Sequence, residues 1–209
     1  NTASNTSSMA GEKEDHGKVI ITYCDGFCFE SASLAANNSY VDVTISAGAY
    51  NTNGGSGALE TSDFALTFAQ NGGTATAAAI SSIKKNDNTA EGSATALSGG
   101  ETVIRMFLNI TGTPTGVESI LIKPASGSSI YNSAGTAMAV ESGISKNLND
   151  LTAAYITGTT IAATNATVAV TFSEAVYNGG IENDLEASDF TLSISGGVAT
   201  LSSATPTSI

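Results

Sequence analysis

Large apolar residues recur at every second position in several short stretches of this chain. From Val41 to Ser46 they alternate with Asp, Thr and Ser. The same period recurs in five further stretches, which are 64–68, 104–110, 120–122, 168–172 and 190–194. A period of two is typical of strands with one buried face. Turn sequences such as NTNGGSG, QNGG and TGTPTG separate the stretches, so the pattern predicts short antiparallel strands, about seven to a unit, in a β-sandwich.

One face of each predicted strand supplies the candidate core. The core-facing residues are Val41, Val43, Ile45, Phe64, Leu66, Phe68, Ile104, Met106, Leu108, Ile110, Ile120, Ile122, Val168, Val170, Phe172, Phe190, Leu192 and Ile194. Arg105 and Asn109 fall on the opposite, polar face of their strand. TSDF and ASDF each predict one helical turn capped by Ser or Asp. Because no window has a long apolar stripe at helical spacing, the predicted fold class is all-β.

The chain contains the same repeat twice. VDVTISAGAYN, from Val41, aligns with VAVTFSEAVYN, from Val168, with six of eleven positions identical. Three further pairs align in the same order, which are SLAANNSYVDV with TIAATNATVAV, LETSDFALTF with LEASDFTLSI, and GGTAT with GGVAT. The offset stays between 124 and 127 residues throughout. Four ordered matches at nearly one offset indicate tandem repeats.

The repeat predicts the domain organisation. Residues 1–17 are polar and without period, which indicates a flexible leader or a linker, and the charge run EKEDH within them predicts a solvated loop. Residues 18–150 form the first repeat and residues 151–209 the second. The second repeat contains no counterpart of the first beyond about Ile83. We therefore expect its sandwich to be incomplete within this chain, either as part of a longer array or with strands supplied by another molecule.

These repeated motifs carry a family resemblance. VTFSEAVYN and LEASDFTLSISGGVATL, with ITGTPTGVESILIKPASGSSIYNSAGTAMA of the first repeat, resemble the bacterial Ig-like repeats of large secreted and surface proteins. The resemblance covers nearly all of the chain after about residue 18. It implies tandem Ig-like antiparallel β-sandwiches of the kind found in adhesins, surface layers and extracellular filaments. Such modules serve mostly as spacers, stalks or adhesive arrays.

Composition and charge narrow the choice of partners. Hydrophobic residues make up 41%, enough for a core, while charged residues make up only 12%, so the surface must be built from Ser, Thr, Asn and Gly. That usage is typical of secreted proteins. The net charge is −12, which disfavours nucleic acid and anionic membrane surfaces. No apolar run approaches the roughly 18 residues of a membrane span, so membrane insertion is not expected. Cations, calcium above all, are the natural partners of such a surface.

Acidic residues of the second repeat are the candidate calcium ligands. In related cadherin-like and Ig-like repeats, acidic side chains at strand ends bind calcium, and the resemblance implies calcium as the candidate cofactor here. The matching residues are Glu174, Glu182, Asp184, Glu186 and Asp189. The first repeat has Ala47 in place of Glu174, so a site shared by both repeats is in doubt. The alternative is that Asp63 and Asp189 cap turns and that the glutamates are solvated.

The two cysteines, Cys24 and Cys28, lie in YCDGFCF. A C-x3-C pair can close a small disulfide loop if the chain bends at Asp25 and Gly26, and we predict this disulfide. Two free thiols or half of a metal site are the alternatives. A zinc site needs about four ligands, and only His16 and acidic residues are nearby. A disulfide would indicate an oxidising compartment.

The chain offers little catalytic chemistry. Its one histidine, His16, lies in the polar leader, and nothing in the sequence places a nucleophile beside it for a catalytic triad. No GxxxxGK[ST] motif occurs, and the Gly pairs lie at hairpin positions. There is no Trp for sugar stacking, and Tyr50 and Tyr177 occupy matched strand ends, which indicates packing residues. We therefore predict that the protein is not an enzyme.

These observations predict an extracellular or cell-surface structural or adhesive protein. Its expected partners are copies of itself or neighbouring Ig-like repeats. The specific expectation is a subunit of a surface filament or array, in which strands of a neighbouring subunit complete the second sandwich. Two alternatives stay open, which are a calcium-dependent adhesin segment and an accessory binding or spacer module of a secreted enzyme.

Overall fold

The computed structural model describes residues 26–179 and 183–209. Within these ranges the chain forms ten strands and no α-helix. The strands are β1 (Phe29–Leu34), β2 (Tyr40–Tyr50), β3 (Phe64–Ala69), β4 (Ala77–Lys84), β5 (Glu101–Thr111), β6 (Ser119–Pro124), β7 (Tyr131–Asn132), β8 (Ile144–Asn147), β9 (Ile156–Ile161) and β10 (Val168–Phe172). Three 3-10 turns accompany them, at Thr61–Asp63, Glu91–Ser93 and Ala187–Asp189. The predicted all-β class is confirmed, as are the single turns at TSDF and ASDF.

The chain divides into two compact units, and the boundary lies between Leu151 and Thr152. We call them the first unit and the second unit. In the first unit, one sheet has the order β1-β2-β5-β4, with β7 paired to the end of β2. The other sheet has the order β3-β6-β8. Every strand pair in both sheets is antiparallel.

The two sheets of the first unit enclose one hydrophobic core. Val41, Val43 and Ile104 come from the first sheet and are fully buried, while Ile120 and Ile122 of the second sheet are each 1% exposed. All five belong to the same core cluster. The predicted alternation is thus confirmed in both sheets, and the first unit is an antiparallel β-sandwich.

The outer face of the larger sheet carries a buried polar cluster. Arg105 is only 6% exposed, although its position on the polar face of β5 predicts a solvated side chain. Its guanidinium donates two hydrogen bonds of 2.7 Å to the Asp42 carboxylate and one of 2.8 Å to the carbonyl of Asn88. The guanidinium carbon also lies 3.7 Å from the centre of the Tyr40 ring. Its hydrogen bonds to Asp42 raise the pKa of Arg105 above its ordinary value against the opposing effect of burial.

The second unit contains a hairpin, β9 with β10, that repeats the β1–β2 hairpin of the first. In both hairpins the pairing register shifts at the same point, beside Phe29 in β1 and beside Ile156 in β9. Asn38 and Asn165 occupy the same turn position, each with φ of 57°. The N–H groups of both asparagines donate to the carbonyl three residues earlier at 2.8 Å. The sequence similarity between the repeats therefore extends to backbone geometry.

One predicted strand of the second unit is wrong. Alternation predicts a strand over 190–194 with Phe190, Leu192 and Ile194 on one face, but no strand forms there. Its counterpart in the first unit, β3, is held by antiparallel pairing with β6. No counterpart of β6 occurs among the described residues of the second unit. A strand needs a partner for its backbone groups, so this segment stays outside any sheet.

In the part of the chain that the structure describes, no helix has the length and apolar character needed to cross a bilayer.

Candidate functional site

Four of the five predicted calcium ligands lie among the described residues of the second unit. Asp184 and Glu186 line a shallow depression together with Asn178, Gly179 and Asn183. Glu174 lines a neighbouring depression, and Glu182 lies outside the described residues. Across residues 26–179 and 183–209, no three His, Cys, Asp or Glu side chains group closely enough to hold a metal ion. Calcium binding stays a prediction.

Asp189 has the alternative role that its position predicts. Its carboxylate accepts a 2.8 Å hydrogen bond from the N–H of Glu186, at the start of the 3-10 turn. Asp63 accepts the same bond from Glu60 in the first unit, also at 2.8 Å. Burial raises the pKa of Asp63 against the lowering effect of that hydrogen bond. Asp63 and Asp189 therefore close equivalent turns in the two units.

Cys28 lies immediately before β1 and is buried, and it is not a free cysteine. Its predicted partner Cys24 lies outside the described residues, so the pairing stays a prediction. The backbone N–H of Cys28 also donates to the hydroxyl of Ser46 at 3.1 Å. In the second unit, Tyr155 occupies the equivalent position and donates to Ser173 at the same distance. The local geometry is thus shared by a unit that has no cysteine there.

One face of the β9–β10 hairpin is apolar and is open to solvent at Ile156, Ile161 and Val168, while Val170 and Phe172 are half-buried. We call it the open face, and its residues are Ile156, Ile161, Val168, Val170 and Phe172. Direct pairing of Val168 with Ile161 and of Phe172 with Ile156 places these side chains on one side of the hairpin. Val168 is 49% exposed and Ile161 is 63% exposed. Exposed apolar faces are a common feature of interaction surfaces.

The first unit shows what covers the equivalent face. Val41, the counterpart of Val168, is 0% exposed, because β5 pairs with the edge of β2 and the sheet of β3, β6 and β8 packs across the core. In the second unit, β10 pairs with β9. Among the described residues, no strand pairs with its other edge. Among the described residues, the open face therefore lacks the neighbouring strand that its counterpart has, and from the counterpart of β3 the Phe190 ring reaches it, 6.5 Å from the Phe172 ring.

A turn of the first unit binds a buried carboxylate. We call this turn, GGTAT at 72–76, the carboxylate receptor. Glu118 is fully buried directly before β6. Its Oε1 accepts from the N–H of Ala75 at 2.9 Å, and its Oε2 accepts from the N–H of Thr115 at 2.9 Å. Burial alone would raise the pKa of Glu118, but these backbone donors outweigh it and lower that pKa to about 2. Gly73 makes the room, since a Cβ there would lie 2.2 Å from the Glu118 carboxyl carbon.

Among the described residues of the second unit, no carboxylate fills the corresponding turn. GGVAT, at 196–200, aligns with the GGTAT that surrounds Glu118. A Cβ on Gly196 or Gly197 would meet nothing within 4 Å. The whole of 196–200 is exposed. The residues described there include no carboxylate partner for the N–H of Ala199, which is the counterpart of Ala75.

Asn38 is a second residue that is buried and hydrogen-bonded in the first unit while its counterpart in the second unit is exposed. It is 2% exposed, its amide donates to the carbonyl of Asn149 at 2.8 Å, and its Oδ1 accepts from the N–H of Asn149 at 2.8 Å. These bonds join the β1–β2 turn to the segment after β8. Asn165 has the same backbone conformation but is exposed. The described residues of the second unit include no counterpart of Asn149.

Sequence reasoning missed Glu118 and Asn149. GGTAT and GGVAT align as repeat markers, and their repetition was the signal that singled out this turn. What fills the receptor depends on contacts 43 residues apart, between Ala75 and Glu118. A two-residue period predicts which face of a strand is buried but does not say which distant side chain meets a turn.

No family model, curated protein or solved structure matches this chain. The Ig-like assignment therefore rests on the sequence motifs and stays a prediction. The antiparallel β-sandwich of the first unit rests on its own strand pairing.

Proposed function

We propose that this protein is a subunit of an extracellular structural or adhesive assembly of tandem Ig-like repeats. In this assembly, strands of a neighbouring subunit complete the second unit. The observation that carries the proposal is the open face, since four of its five residues match buried core positions of the first unit and the fifth, Ile161, matches the half-buried Leu34. Adding strands from a neighbour would bury this face and pair the free edge of β10.

The energetics favour covering the open face. Burying a Val or Ile side chain contributes about 1.5–3 kcal/mol, and Ile156, Ile161 and Val168 are each about half exposed or more. Backbone pairing along β10 would add register and direction to this apolar contact. An interface that joins two different surfaces propagates head to tail, which gives a filament when the rotation does not close a ring.

The surface composition supports an extracellular setting. The polar surface consists mainly of Ser, Thr, Asn and Gly, with a net charge of −12. Like charges keep free subunits apart and soluble. Association must then come from specific apolar and backbone contacts, which is the role proposed for the open face.

Sedimentation velocity over a range of concentrations tests the proposal. The wild-type chain is expected to form species larger than a monomer. Val168→Lys places a charge on the open face and is expected to abolish them, while Ala169→Lys, on the opposite face of β10, leaves them intact. Both positions are exposed, so both variants should fold. Monomers at every concentration, or equal assembly by the two variants, would contradict the proposal.

A further inference from the structure

Glu118 belongs to a segment that makes two contacts at once in the first unit. Its carboxylate accepts from the N–H of Ala75, and β6 follows immediately and pairs with β3. In that pairing Ile120 lies opposite Phe68, and Ile122 lies opposite Leu66. The segment that binds the turn and β3 in the first unit is therefore a glutamate followed directly by a strand of alternating apolar residues.

Both receiving elements recur in the second unit, and among its described residues neither a paired strand nor a carboxylate occupies them. The counterpart of β3 is the segment 190–195, which joins no sheet. The Leu192 N–H donates to the carbonyl of Ala204 at 2.7 Å. That contact has no equivalent in the first unit, where the matching strands β3 and β4 belong to different sheets. The counterpart of the carboxylate receptor is GGVAT, which follows at once and is exposed.

We propose that the second unit binds a glutamate-led β-strand, antiparallel to 190–195, with the carboxylate on the N–H of Ala199. The proposal deepens the proposed function and rests on it, since it names the chemistry of the segment that a neighbouring subunit presents. By register, the apolar residue two positions after the glutamate meets Ile194, and the one four positions after it meets Leu192.

The two receptors differ in turn length and in one side chain, but both keep the backbone N–H that would donate to the carboxylate. The second unit keeps the Gly pair and the Ala whose backbone N–H is the donor, so its carboxylate recognition needs no particular side chain. Its turn is two residues shorter, and both glycines have positive φ, whereas only Gly72 does in the first unit. Val198 replaces Thr74, whose hydroxyl donates to the carbonyl of Thr113 at 2.5 Å. The bound segment is therefore expected to rely on its carboxylate and strand rather than on that hydroxyl.

Fluorescence anisotropy with the full 209-residue chain tests this inference. The probe is a labelled peptide of the sequence TPTGVESILIKP, residues 113–124. It is compared with the same peptide carrying Glu118→Gln, and both are titrated with wild-type chain and with Ala199→Pro, which removes the N–H donor. Ala199 is exposed and lies outside any strand, so the substitution leaves both hairpins intact.

We expect the glutamate peptide to bind the wild-type chain at least about tenfold more tightly than the glutamine peptide. With Ala199→Pro the two peptides should bind equally, because the cycle isolates the carboxylate contact. Equal binding to the wild-type chain, no binding, or a glutamate preference that survives Ala199→Pro would overturn the inference. Failure here with intact assembly in sedimentation leaves the proposed function standing. If the chain binds the glutamate peptide preferentially but stays monomeric in sedimentation, the proposed function is contradicted, while the inferred binding of a glutamate-led strand stands.

Discussion

The carboxylate of Glu118 occupies the space that a side chain on Gly73 would need. A Cβ on Gly73 would lie 2.2 Å from both the carboxyl carbon and Oε1 of Glu118. The missing side chain lets a buried charge reach the backbone N–H of Ala75. Gly73 and Glu118 therefore form one structural device, which joins the turn after β3 to the start of β6.

The first prediction concerns the pH dependence of this device. The folded pKa of Glu118, about 2, lies below its ordinary value of 4.5. The group therefore contributes stability that is fully present above pH 4.5 and is lost as the pH falls towards 2. Glu118→Gln should lower the free energy of unfolding at neutral pH and remove this part of the acid dependence. Urea unfolding between pH 2 and 7 measures both.

The exposed Glu30 provides the control for that experiment. Glu30→Gln should leave the stability at neutral pH within about 0.5 kcal/mol of wild type. If Glu118→Gln matched Glu30→Gln across the whole pH range, the buried carboxylate would have no stabilising role.

The second prediction tests whether Gly73 is needed because Glu118 lies so close to it or because only glycine adopts its backbone conformation. Gly73 has no positive φ, so the cost of Gly73→Ala comes from displacing Glu118. We expect a loss of about 2 kcal/mol or more in the free energy of unfolding. Gly127 also lacks a positive φ, and a Cβ there would meet nothing within 4 Å. Gly127→Ala should therefore be nearly neutral in the same urea titration, and equal losses would show that the close approach is unimportant.

The third prediction uses the two matched asparagines. Glycine tolerates the φ of 57° at both positions, so Asn→Gly removes the side chain without adding backbone strain. Asn38→Gly should destabilise the first unit by about 1–3 kcal/mol, because it loses its three hydrogen bonds with Asn149. Asn165→Gly should change stability by less than about 0.5 kcal/mol. Thermal unfolding compares the two, and similar effects would contradict the assigned role of Asn38.

The fourth prediction concerns the pair on the outer face of the larger sheet. Asp42 and Arg105 lie opposite each other on β2 and β5 and share two hydrogen bonds of 2.7 Å. A double-mutant cycle of Asp42→Ala and Arg105→Ala should give a coupling energy of about 1–3 kcal/mol in urea unfolding. Arg105→Lys should recover only part of it, because lysine cannot make the paired contact. A coupling near zero would mean that Arg105 acts through Tyr40 and the carbonyl of Asn88 rather than through Asp42.

The sequence predicted which face of a strand is buried, but it did not predict contacts between residues that are far apart in the chain. Alternation placed Val41 and Ile120 in the core, because a strand that has one buried face shows it directly. The same alternation at 190–194 gave the wrong answer, since a strand forms only when another supplies its backbone partners. Arg105 was expected in solvent, and only the fold brings Tyr40 and the carbonyl of Asn88 over it. Among the candidate calcium ligands, spacing could not distinguish a capping Asp189 from a metal ligand.

Electron cryomicroscopy of the purified chain at high concentration tests the central claim most directly, because it shows what lies on the free edge of β10. We predict ordered assemblies in which a strand from a neighbouring subunit pairs with β10 and covers Val168 and Ile161. Monomers whose open face stays bare would contradict the account. So would assemblies held together by other surfaces.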